Sequence, residues 1–344
     1  MLKSMNERKE WVKAAMNLAK NFIASLSQKK HPDYLSRMPE LAMAGILDHC
    51  DFLDVQRLRK TCHYLRNFID DVKPDAKIIN MSITLTDASI CLEFQTRRKF
   101  HLEYYNDQYI INRITKKKRV LKRQSARQRF FKDIIYILSH QKSSFINFNI
   151  ALNFYHQQIN ANEFLGVLNI IFKSRPRPLS TETLGLRVSD GENILAILSC
   201  LEVKNISILN ANGFSTLLDL GTVAELTQWK QAKQIEIRHF LVDGDIFRKC
   251  SNLEKAYIQF AELRLEHVLM LREIFLNSPA AKFFHFGFHS FTERHQLIEA
   301  LGPPNSETSA VKNWFFRIPG SNEGVAVRLL SYSIDMTRIT MPNM

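Results

Sequence analysis

The sequence predicts an α+β protein, in which a three-helix amino-terminal unit precedes an α/β solenoid of parallel strands, and three observations predict it. Residues 38–70 place apolar side chains in three short helical runs, and residues 77–111 alternate apolar and polar with period two. From about residue 143 onward, strand-like segments recur with helical patterns between them. A chain of 344 residues is long enough to bury a sizeable core.

Residues 1–34 hold an amphipathic helix over 6–26, with Trp11, Val12, Ala15, Leu18, Ala19, Phe22 and Ile23 on one face. After His31-Pro32, the stretch Met38 to Asp70 fits three short helices. Pro39 suits a first helical position and Glu40 the first turn. Leu41, Ala42, Met43, Ala44, Ile46 and Leu47 make the first helix apolar almost all the way round, so it needs a second burial partner. Burying three exposed Leu, Ile or Met side chains contributes on the order of 5 to 9 kcal/mol, enough to drive docking onto another protein.

These residues resemble the F-box, the helical hook that attaches substrate receptors to the Skp adaptor of cullin-based ubiquitin ligases. Met38-Pro39 stands at the Leu-Pro of that motif, Ile46-Leu47 at its Ile-Leu, Asp51 at its loop acid, and Val55 and Leu58 at its second-helix apolar positions. Cys62, Leu65, Phe68 and Ile69 continue the pattern, while Met38, Cys50, Thr61 and Leu65 depart from its usual residue types. The resemblance implies an F-box over 35–72 that binds Skp, and through it a cullin, with Met38, Pro39, Leu41, Met43, Ile46, Leu47, Val55 and Leu58 as the docking set.

Ile79, Met81, Ile83 and Leu85, then Phe100, Leu102 and Tyr104, alternate as strands, with Asn106-Asp107 as turn chemistry, so 73–115 reads as a linking β-hairpin segment. In 116–344, strand-like segments stand at Phe145–Ile150, Thr183–Val188, Lys204–Leu209, Gln234–Phe240, Lys255–Phe260, Phe283–Phe288 and Trp314–Ile318. Their spacing of roughly 20 to 38 residues is close to that of leucine-rich repeats. Asn162 is the expected N-cap of a helix through Phe164, Val167, Leu168, Ile171 and Phe172; a second helix runs through Leu265, Val268, Leu269, Leu271 and Phe275 and stops at Asn277-Ser278-Pro279. Strand, helix and strand in register imply right-handed crossovers and a curved, leucine-rich-repeat-like stack with a concave strand surface. Alternation points Phe284, Phe286 and Phe288 inward and makes Glu236, Arg238, Gln259, His285 and His289 candidates for contacting a target.

Three pieces of this region, Phe172 to Leu179, Leu226 to Ile237 and Leu271 to Pro279, resemble the FTH domain that follows the F-box in a large nematode receptor family. With the F-box, the resemblance covers about residues 35–300 and implies a non-enzymatic substrate receptor whose FTH domain recruits a protein target. Arg175-Pro176-Arg177-Pro178 then ends a helix and enters extended backbone, and Trp229 packs in the core.

The formal charge of +13 concentrates at two places, residues 1–30 and the run Lys116, Lys117, Lys118, Arg119, Lys122, Arg123, Arg127, Arg129 and Lys132. That run continues into Phe130, Phe131, Ile134, Ile135 and Leu138, which predicts a helix with a basic outer face. The alternative is a nucleic-acid-binding or nuclear scaffold protein using this segment, although no aromatics interleave the bases for stacking. No catalytic motif is present, no cofactor is expected, and five scattered cysteines without C-x-x-C argue against a zinc site and for a reducing compartment, cytoplasmic or nuclear. His101-Leu102-Glu103 is half of a zinc-deaminase signature without its second half, and His285 with His289 lacks a third ligand. No h-region of a signal peptide and no membrane span is expected.

Overall fold

The structure is a computed structural model that describes residues 38–340 except 106–108, 122–123, 154–158, 214, 244–245, 247–249, 251 and 319. The amphipathic helix expected over 6–26 lies outside the described residues. The chain forms two compact units, dividing between Pro74 and Asp75.

In the first unit, three helices follow one another as the spacing predicts: α1 (Glu40–His49), α2 (Phe52–Leu58) and α3 (His63–Val72). Pro39 sits one place earlier than expected, as the N-cap of α1, with its carbonyl accepting from Met43 N at 3.0 Å. Asp51 caps α2 by accepting from Phe52 N at 2.8 Å, and the Cys62 sulfur caps α3 by accepting from Leu65 N at 3.5 Å. Met43, Leu47, Val55, Leu65, Phe68 and Ile69 form the core.

The second unit opens with β1 (Asn80–Thr86), β2 (Ser89–Gln95), β3 (Lys99–Tyr105), β4 (Tyr109–Asn112) and β5 (Lys117–Val120). Then follow α4 (Ala126–His140), β6 (Phe145–Asn153), α5 (Ile159–Lys173), β7 (Leu179–Val188), α6 (Gly191–Leu198), β8 (Leu201–Asn210), β9 (Thr216–Leu217) and α7 (Thr227–Lys230). The chain continues through β10 (Gln234–Arg238), β11 (Phe240–Leu241), β12 (Lys255–Glu262), α8 (Leu265–Asn277), β13 (Phe283–Ser290) and α9 (Arg294–Leu301). It closes with β14 (Ser306–Glu307), β15 (Lys312–Arg317), β16 (Glu323–Leu329) and β17 (Ser333–Thr340).

Among the described residues, fifteen strands make one mixed sheet in the order β14-β15-β16-β17-β13-β12-β10-β8-β7-β6-β1-β2-β3-β4-β5, and β9 pairs with β11 separately. This corrects the expectation of parallel strands throughout. The strands from β1 to β13 that lie in the middle run parallel, but antiparallel strands flank them on both sides and antiparallel pairings are the more numerous. The physical reason is connection length: Asp87-Ala88 and the few residues before β3 are too short for a crossover, so β1, β2 and β3 can only fold back on each other. Segment 73–115 contributes β1 to β4 to the same sheet, because β1 lies parallel to β6.

The basic helix expected from residue 116 is also corrected. Lys117–Val120 is the edge strand β5, and the helix starts only at Ala126 behind a Ser125/Gln128 capping box. Asn112 forces the turn before β5, its side chain accepting from Ile114 N and Thr115 N, and Lys116 takes a left-handed φ of 55°. Asn162, the expected cap of α5, lies inside that helix and accepts from the Asn193 amide on α6 at 3.0 Å.

Burial alternates along β1, β2, β10, β12 and most of β13. Phe284, Phe286 and Phe288 are buried as expected, as are Ile83, Ile150, Ile208, Ile237 and Ile258, and the helices cover this face of the sheet. Trp229 is fully buried with its indole N–H donated to Ile246 O at 3.2 Å. Arg175 leaves the end of α5 and donates to Gln141 O at 2.6 Å, holding the chain as it enters β7.

Candidate functional site

Two surfaces carry the residues singled out in the sequence. On α1, one side faces the core and the other faces solvent. Met43 and Leu47 are each 1% exposed, whereas Leu41 is 87% and Ile46 41% exposed. Val55 is buried in the same core, Met38 and Leu58 pack partly against it, and Pro39 is exposed. Of the expected docking set, Met43, Leu47 and Val55 therefore shape the helix from within, and Leu41, Ile46 and Pro39 present its outer side. Leu41 and Ile46, about 140° apart around a ten-residue helix, both leave apolar surface in water among the described residues.

The second surface is the face of the sheet opposite the helices. Cross-strand register lines up one uninterrupted row from Glu93 through Ser82, Asn149, Ser207 and Glu236 to Tyr257, His285 and Asp335, none of them buried. Glu236, Arg238, Gln259, His285 and His289 all lie on this face, as period two requires. They are not independent. Arg238 pairs with Glu236, which also accepts from Ser207 Oγ at 3.2 Å, and His285 Nδ1 meets Asp335 Oδ1 at 2.7 Å. Asp335 and Tyr257 belong to this face but were not among the expected residues. Tyr257 had the same alternation as a signal, whereas the antiparallel pairing that brings Asp335 to His285 spans fifty residues and leaves no local trace.

The described residues of the basic run divide between β5 and α4. Lys116, Lys117, Lys118 and Arg119 are exposed on the β5 turn and edge strand, Lys122 and Arg123 lie outside the described residues, Arg127 pairs with Glu163 at 3.1 Å, and Arg129 pairs with Asp133 at 2.8 Å.

On the β2–β3 hairpin, register brings together Cys91, Glu93, His101 and Glu103. Burial, then the carboxylates of Glu93 and Glu103, pushes the Cys91 thiol up to about 12, which removes it as a nucleophile at neutral pH. Glu103 is held below the ordinary carboxylate range: burial opposes ionisation, but hydrogen bonds from Arg113, Tyr105 and His101 outweigh it.

Two family models match the chain, that of the F-box domain over residues 35–77 and that of the FTH domain over residues 162–303. This is an F-box protein with a carboxy-terminal FTH domain. No curated protein and no solved structure matches it. The F-box domain supports a Skp-binding adaptor role in a cullin-containing ubiquitin ligase complex, as F-box proteins are generally adaptor subunits of such ligases. Among the described residues, no helix is long and apolar enough to cross a membrane.

Proposed function

We propose that the chain is a non-enzymatic substrate receptor of a Skp-cullin-F-box ubiquitin ligase. The outer side of α1 docks on Skp through Leu41, Ile46 and Pro39, and the open face of the sheet holds a protein target for an associated enzyme to modify. The chain itself supplies proximity. The observation that carries this reading is Leu41 standing 87% exposed on a helix whose other side is already sealed in its own core. The parallel run of strands and helices from β6 to β13 is read as a leucine-rich-repeat-like array whose purpose is to display that face. Glu236, Arg238, Gln259, His285 and His289 are the target contacts.

The test is affinity purification of the full chain from cells with the proteasome blocked, followed by mass spectrometry. Wild type is compared with a Glu236→Ala, Arg238→Ala, His289→Ala variant. Skp and cullin are expected with both chains, and one set of further proteins with wild type alone. Capture of the same further proteins by both chains contradicts assignment of the target to this face.

A further inference from the structure

We propose that the β2–β3 hairpin carries a site for a zinc-type divalent metal, with Cys91, Glu93 and His101 as ligands and Glu103 beside them. Cys91 and Glu93 stand two apart on β2, and His101 and Glu103 two apart on β3, so all four side chains leave the same face. Register pairs Cys91 with Glu103 and Glu93 with His101 directly across the ladder, which sets a thiol, an imidazole and two carboxylates at the corners of one small square. One donor atom from each of Cys91, Glu93 and His101 lies within 4.8 Å of the other two.

Around His101 Nε2, the finer distances of Cys91 and Glu103 fit a common centre. Cys91 Sγ is 3.2 Å from His101 Nε2, and Glu103 Oε1 is also 3.2 Å from that nitrogen. Bond lengths around tetrahedral zinc set neighbouring donors roughly 3.4 to 3.6 Å apart, so shifts of a few tenths of an ångström admit an ion. Glu93 Oε1 lies 2.9 Å from Nδ1, the second ring nitrogen, and 3.9 Å from Cys91 Sγ, so it can orient the ring or swing onto the ion. Glu103 is fixed by its other oxygen, Oε2, which accepts from Arg113 and Tyr105, and Oε1 is thereby turned toward His101.

The sulfur already points at the imidazole, 3.2 Å from His101 Nε2. Thiolate with imidazole and carboxylate is a donor set that suits zinc. A divalent ion here reverses the field of the two carboxylates, and the bound sulfur is then the thiolate. Bound metal joins β2 to β3 beside the row that leads across the open face to His285.

The test uses the full chain stripped with a chelator and titrated with Co(II) as an optical probe, then with Zn(II) in competition. Saturation at one equivalent with a sulfur-to-cobalt charge-transfer band is expected, together with a Zn(II)-dependent rise in the thermal midpoint. Cys91→Ser and His101→Gln, each checked for folding by circular dichroism, are expected to lose the band, Glu93→Gln to weaken binding at least tenfold, and Cys62→Ser to keep it. Absence of the band in wild type, or its persistence in Cys91→Ser, overturns the proposal. Wild type decides the matter even if a variant fails to fold.

Discussion

Leu41 and Met43 stand two residues apart on one helix, about 200° around its axis, and the first is 87% exposed while the second is 1% exposed. The same short apolar run thus supplies both a core and a surface. The two roles separate by mutation. Leu47→Ala, in the core, is expected to cost the amino-terminal unit about 2 to 5 kcal/mol, because the cavity sits among packed side chains. Leu41→Ala is expected to stay within about 0.5 kcal/mol. Denaturant unfolding of the full chain, followed for the helical unit, checks both, and equal losses would contradict the division.

Tyr104 on β3 is fully buried and donates its hydroxyl to Asp133 Oδ2 on α4 at 2.9 Å, the link between hairpin and helix. Burial, then the Asp133 charge, raises this phenol well above its ordinary 10.0. The contribution of Tyr104 is therefore complete below about pH 10 and is lost as pH rises toward the folded-state value. Tyr104→Phe is expected to cost about 0.5 to 1.5 kcal/mol at neutral pH by removing one hydrogen bond to Asp133, whose Oδ2 also accepts from Arg129 Nε at 3.0 Å. It is also expected to flatten the alkaline fall of stability, measured as denaturation midpoints between pH 8 and about pH 11.

Glu254 accepts from Lys282 at 2.8 Å and from Lys233 at 3.1 Å, joining the starts of three neighbouring strands. These two hydrogen bonds hold its carboxyl below the ordinary 4.5. A depressed value means that the stabilisation is present above pH 4.5 and disappears as pH falls through the lower folded-state value. Glu254→Gln is expected to narrow the difference between midpoints measured at neutral and at acid pH, and an unchanged difference would contradict the role given to this carboxylate.

What the sequence showed and what it hid follow from range. Phe284, Phe286 and Phe288 announced β13 because alternation is local, and Leu265 to Phe275 announced α8 because every position of its buried stripe lies within thirteen residues. Lys117–Val120 was misread as helix because four exposed residues carry no apolar period, and Asn112 and the left-handed Lys116 decide the conformation from outside the strand. The division of α1 into inner and outer sides was hidden by its being apolar all round; only packing against Val55, Leu65 and Ile69 tells Met43 from Leu41. Cys91 and His101 gave their signal as two X-any-Glu pairs ten residues apart, meaningless until hairpin register laid one across the other.

The central claim is that the outer side of α1 holds the Skp adaptor. Titration of purified Skp adaptor with the full chain, read by calorimetry, tests it most directly when wild type is set against Leu41→Asp, Ile46→Asp. Both side chains are outside the core, so the variant is expected to unfold at the same denaturant concentration as wild type and to bind at least a hundredfold more weakly, a charge in an apolar interface costing several kcal/mol. Equal affinity of the two chains for the adaptor, with folding intact, would contradict the account.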